Sequence, residues 1–121
     1  LRKSEKHGKI NTTIFIDLDG VLIKHAYDNF EQYDILDLTL EKLSDFKKRN
    51  VYLILTTGRS KRNCSFILKF FKDNGIIFDR CIFDLPTCRR ILINDDKYIG
   101  IKKALAYSYP RNYGIKDFND Y

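Results

Sequence analysis

Four short apolar runs set the strongest constraint on how this chain can fold. They are residues 13–18 (TIFIDL), 51–56 (VYLILT), 81–83 (CIF) and 91–93 (ILI). Each is nearly continuous and rich in β-branched or aromatic residues, as strands buried on both faces are. A fifth, weaker run covers 104–107. Helical patterns separate the runs. Leu36, Leu40, Leu43 and Phe46 make one apolar stripe, with Glu41, Lys42, Asp45, Lys47 and Lys48 facing water. Cys64, Ile67, Leu68 and Phe71 repeat at i, i+3, i+4 and i+7, with Ser60 able to cap the start and Asn74-Gly75 able to end it. Strand alternating with helix implies parallel pairing through right-handed crossovers. The expected fold is a three-layer, doubly wound, Rossmann-like α/β domain. Ligands of such folds bind beyond the carboxyl ends of the strands.

Composition bounds the function class. The 121 residues suffice for one domain with its own core, and 9 Phe and 8 Tyr supply bulk for it. No internal repeat or low-complexity linker divides the chain. The expected organisation is a basic lead-in at 1–11, without the apolar stretch of a secretory signal, and a single domain at 12–121. No apolar run approaches the ~18 residues of a membrane span. With 22 Lys and Arg against 16 Asp and Glu, the net charge is +6, which favours anionic partners. Cys64, Cys81 and Cys88 lack metal-ligand spacing and read as reduced thiols of a cytoplasmic protein.

Three of the runs deliver polar residues to their carboxyl ends: Asp17-Leu18-Asp19-Gly20, Thr56-Thr57-Gly58-Arg59 and Asn94-Asp95-Asp96-Lys97. Asp17 and Asp19 lie two apart, so both carboxylates can face one pocket while Leu18 turns into the core. Gly20 permits a sharp bend after them. Neighbouring carboxylates repel unless a cation lies between them or one is protonated. A hard divalent cation such as magnesium suits these oxygen ligands together with a substrate phosphate, and Asp95 or Asp96 would complete the set.

These segments carry a family resemblance. DLDGVL after an apolar strand resembles the first motif of the haloacid dehalogenase superfamily of phosphatases and phosphotransferases. LTTGR resembles its second motif and ILINDD its fourth, acidic one. The stretch DLPTCRRILINDDK is also similar, more weakly, to small phosphatases of bacterial capsule and sugar-nucleotide pathways. The resemblance implies a Mg2+-dependent phosphomonoester hydrolase. Asp17 would attack phosphorus and form an aspartyl-phosphate. Asp19 would serve as general acid and then general base. Asp17, the Asp19 main-chain carbonyl and Asp95 would hold the metal. Thr57 would donate to a phosphoryl oxygen, with Thr56 as the alternative and alignment to Gly-Arg favouring Thr57. The third-motif lysine of the superfamily is missing where Leu85-Pro86 stands. Lys97, just past the acids, is the preferred replacement for phosphate binding and Arg90 the alternative.

Other residues admit two readings. His25 either lines the pocket or sits on an exposed loop. Arg59 either contacts phosphate or locks its loop by a salt bridge. Tyr27, Phe30 and Tyr33 either stack a substrate or pack a flap. The interval after the first motif fits a short flap and leaves no room for a cap domain. An open site of this kind suits a bulky substrate or a neighbouring subunit that covers it, so a homo-oligomer is compatible. The expected partner is a phosphorylated small-molecule substrate and no membrane, with nucleic acid compatible but not favoured; a nucleic-acid-end phosphatase is the rival enzyme reading. A receiver-like module or an inactive phosphate-binding domain is the rival outside enzymes.

Overall fold

The computed structural model describes residues 10, 12–25, 33–96, 99–100 and 102–120. The elements in chain order are β1 (Thr13–Asp17), α1 (Thr39–Lys48), β2 (Tyr52–Thr56), a 3-10 turn (Arg62–Cys64), α2 (Ser65–Asp73) and β3 (Arg80–Ile82). The three strands form one parallel sheet in the order β1-β2-β3. Ile16 stands beside Leu55, and Leu55 beside Cys81. Residues in register point to the same face, so Ile14, Ile16, Leu53, Leu55 and Cys81 share one side. There they join Leu43 and Phe46 from α1 and Ile67 and Phe71 from α2 in the core. The α/β parallel architecture is therefore present, and no cap domain stands among the described residues.

Local chemistry explains the helices. Glu41 in the first turn and Lys47 and Lys48 in the last complement the dipole of α1. The Thr39 hydroxyl, fully buried, donates to the Leu22 carbonyl (3.2 Å) and ties the start of α1 to the loop after β1. The Ser60 hydroxyl accepts the Asn63 N–H (3.2 Å) and caps the turn that leads into α2. Gly75, at φ +81°, ends that helix in the left-handed region. Asp79 receives both the Lys47 ammonium and the Leu53 N–H at 2.7 Å, binding the end of α1 to the sheet.

Two expectations need correction. The strands are not buried on both faces, since Phe15 is 53% exposed and Ile82 40% on the side away from the helices. The runs at 91–93 and 104–107 form no strand. Ile91, Leu92 and Ile93 are exposed, and so is Leu105. A run of three apolar residues records only that a strand is tolerated; a strand exists only where a neighbour pairs with it, and none pairs here among the described residues.

Candidate active site

The carboxyl end of β1 runs straight into a tight turn. The Leu18 carbonyl accepts the N–H groups of Val21, Leu22 and Ile23 (2.9–3.3 Å), and the Gly20 N–H donates to the Ile23 carbonyl (2.7 Å). Gly20 stands at φ +81°, and a Cβ there would meet the Arg111 side chain at 3.2 Å. Leu18 is fully buried, as the i, i+2 geometry requires if Asp17 and Asp19 are to face outward. A hairpin-like flap follows: the Lys24 N–H donates to the Asp34 carbonyl and the Leu36 N–H to the Leu22 carbonyl. Tyr33 packs edge-on against Phe70 (5.4 Å between ring centres), which favours the packing reading for that residue. Tyr27 and Phe30 lie outside the described residues.

Residues 110–118 brace this loop. The Asn112 N–H donates to the Gly20 carbonyl (2.8 Å), and the Asn112 side-chain oxygen accepts the His25 N–H (2.7 Å). Gly114 lies against Leu36, Ile115 is buried, and Phe118 stacks edge-on against Phe46. His25 is thus half-buried in a backbone clasp and not on a free loop.

Asp17 ends β1 in register with Thr56, so their side chains share the sheet face opposite the core. Arg90 reaches both. Its Nη1 donates to Asp17 Oδ1 at 3.0 Å and lies 3.5 Å from Thr56 Oγ1. Both members of the Asp17–Arg90 pair are about 40% exposed, at 39% and 40%. Asp19 is held differently. Arg59 grips it with Nε at 2.9 Å and Nη2 at 2.6 Å, one donor per carboxylate oxygen. The side chains are only 7% (Arg59) and 21% (Asp19) exposed. Each carboxylate of the first loop thus has its own guanidinium, which relieves their mutual repulsion.

Thr57 faces inward and is 1% exposed. Its hydroxyl accepts the Arg59 N–H (3.1 Å) and lies beside the Cys64 thiol. Burial pushes that thiol up to about 11; Arg59 pulls it down and Asp19 pushes it up to lesser degrees. Residues 84–87 cross over the Thr57–Gly58–Arg59 loop, with the Asp84 N–H on the Arg59 carbonyl and the Leu85 N–H on that of Thr57. A Cβ on Gly58 would meet Thr87 at 3.1 Å and the Leu85 carbonyl at 3.2 Å, so the crossing needs glycine there. The crossing carries the chain toward Arg90.

The acidic segment is not gathered with the first loop. Asp95 is 83% exposed beside Lys103 (3.5 Å), and Asp96 lies 3.5 Å from Lys102. Lys97 falls outside the described residues. Among the described residues no group of three or more His, Cys, Asp or Glu is placed to hold a metal ion. Among the described residues Arg90 is the cation that reaches Asp17. Asn112 was missed altogether; its only trace in the sequence is a turn-forming residue two before a glycine.

Comparison with known proteins bears on the whole arrangement. No protein of curated function matches the sequence. Two crystal structures share the fold. One is D,D-heptose 1,7-bisphosphate phosphatase from B. bronchiseptica, complexed with magnesium and phosphate. It is 14% identical with a TM-score of 0.50, and the match covers 60% of this chain and 49% of that one. The chain thus spans about half the length of that enzyme. The other is a structural-genomics target from Vibrio cholerae, 15% identical with a TM-score of 0.52, covering 71% of this chain and 80% of that one. No helix among the described residues is long and apolar enough to cross a membrane. The family model for haloacid dehalogenase-like hydrolases matches residues 14–79, more than half of the chain and inclusive of both loops that carry Asp17, Asp19, Thr57 and Arg59, and the chain belongs to that family.

Proposed function

We propose that the chain is a phosphatase that hydrolyses phosphomonoesters through Asp17. The observation that carries this reading is the grouping at the sheet edge. A half-exposed carboxylate, a threonine hydroxyl in register with it and a guanidinium reaching both make an anion site built around a nucleophile. Asp17 attacks phosphorus, its oxygen bonding to the phosphoryl group as the bond to the leaving oxygen breaks. Asp19, a carboxylate at rest in its pair with Arg59, takes a proton from the entering phosphate monoanion and passes it to that oxygen. It later takes one from the water that cleaves the aspartyl-phosphate and releases phosphate. Arg90 fills the role the sequence offered first to Lys97, screening the approach of one anion to another. Of the two threonines, Thr56 has its hydroxyl beside Arg90, while the Thr57 hydroxyl serves the Arg59 N–H. The Thr56 hydroxyl also donates to the Ile16 carbonyl (3.3 Å), so each threonine already has one hydrogen-bond partner and both stay candidates for a phosphoryl oxygen.

The donor chemistry fits Mg2+ in part. The Asp17 carboxylate and the Asp19 carbonyl are hard oxygen ligands, and magnesium commonly keeps waters and a substrate phosphate in its remaining positions. Asp95, the third ligand the resemblance implies, is paired with Lys103 in this arrangement. When bound, the metal would neutralise phosphate charge and orient the phosphoryl group. The substrate we infer is a small sugar phosphate or similar metabolite, in keeping with the basic charge and the heptose phosphatase that shares the fold. The test is magnesium-dependent release of p-nitrophenol from p-nitrophenyl phosphate. Turnover should vanish in Asp17→Asn and with EDTA; turnover that survives Asp17→Asn refutes the assignment.

A further inference from the structure

We propose that Arg59 is a positioning residue that fixes the proton-transfer carboxylate, Asp19, by a two-pronged grip. The proposal rests on the phosphatase reading of Asp17. Arg59 is anchored at every point. Its N–H donates to Thr57 Oγ1 (3.1 Å), its carbonyl accepts the Asp84 N–H (2.9 Å), and its Nη1 donates to the Asn63 carbonyl (3.3 Å). Nε and Nη2 are left for Asp19. The fork is rigid and planar, so it fixes the direction as well as the position of the carboxylate, which an ammonium cannot do. With 7% of its side chain exposed, Arg59 is not placed to read a substrate directly. It acts through Asp19.

The grip also divides labour within the first loop. Asp17 and Asp19 are two residues apart and carry like charge. Arg59 draws one carboxylate down against the second loop, while the other stays open toward Arg90. A group that transfers a proton must be held within a fraction of an ångström of its target, and losing that placement costs rate while leaving binding nearly unchanged.

The consequence depends on the leaving group. A phenolate as stable as p-nitrophenolate departs with little protonation, whereas unsubstituted phenolate depends on it. We expect Arg59→Ala to lower kcat/KM about tenfold for p-nitrophenyl phosphate and about a hundredfold for phenyl phosphate. Asp19→Asn should show the same steepening. Arg59→Ala added to Asp19→Asn should cost less than about twofold more, because the two residues act as a unit. Arg59→Lys should recover little of the loss, and Arg59→Gln, which keeps two donors and most of the volume, supplies a variant whose fold can be verified by circular dichroism if Arg59→Ala fails to fold. Equal losses on both substrates, or full additivity with Asp19→Asn, overturn the role of Arg59 while Asp17-dependent turnover still stands. Wild-type protein without Asp17-dependent turnover overturns the underlying reading and this proposal with it.

Discussion

The two acid–arginine pairs of the first loop are chemically alike and physically opposite. Asp19–Arg59 is two-pronged and dry; Asp17–Arg90 is single-pronged and wet. Water screens the second pair, and exposed pairs of this kind contribute about 0–1 kcal/mol. The first cannot be opened without stranding a charge in a pocket that also buries Cys64 and Thr57. A pair that is cheap to open can admit a ligand, and one that is costly to open serves as framework. On the proposed reading, Asp17 meets the incoming phosphate and Asp19 keeps a fixed post beside it.

The contrast can be broken from its strong side first. Arg59→Ala should destabilise the fold by about 3 kcal/mol, the low end for a broken buried pair because Asp19 keeps some contact with water. Urea unfolding checks this, and a loss below about 0.5 kcal/mol would make the pair ordinary. The dryness of the same pocket can be read through Cys64. Burial holds its folded thiol at about 11, against 9.0 for an unburied cysteine. The unfolded chain therefore releases its proton first. The stability this provides is complete below about pH 9 and drains away as the pH climbs toward 11. Wild type should lose about 1–2 kcal/mol more than Cys64→Ala across that window.

A smaller effect is expected behind the loop. Asn112→Ala removes the acceptor of the His25 N–H and a residue suited to its positive φ, and should cost about 1 kcal/mol in a thermal melt. The open pair should give the least. Arg90→Ala should shift stability by less than about 0.5 kcal/mol while lowering phosphatase kcat/KM about tenfold or more. A large stability loss in Arg90→Ala would erase the distinction between the pairs.

What the sequence made legible follows the range of the interactions involved. The strands at TIFID and YLILT, the caps at Ser60 and Gly75 and the inward turn of Leu18 are written in spacings of two to four residues. The fate of 91–93 was not, because ILI reads the same whether or not an edge receives it. Arg59 stood undecided between substrate and loop because its partner, Asp19, lies 40 positions away. Arg90 reaches Asp17 across 73 positions, and the choice between it and Lys97 turned on nearness to the acids, which says nothing about the crossing at 84–87. Thr57 aligned well, yet its inward orientation depends on the Arg59 N–H and the Cys64 thiol, neither of which a motif records.

The clasp at 110–118 has a bearing on how the protein is made. Its contacts with Gly20 and His25 span most of the sequence, and long-range closures of this sort are late and slow to form. On the ribosome the acidic turn leaves the tunnel early, while the strap that steadies it is still untranslated. Until Asn112 and Phe118 emerge, the nascent polypeptide carries Asp17 on an unsupported bend, so the proposed site is complete only once this strap has been translated.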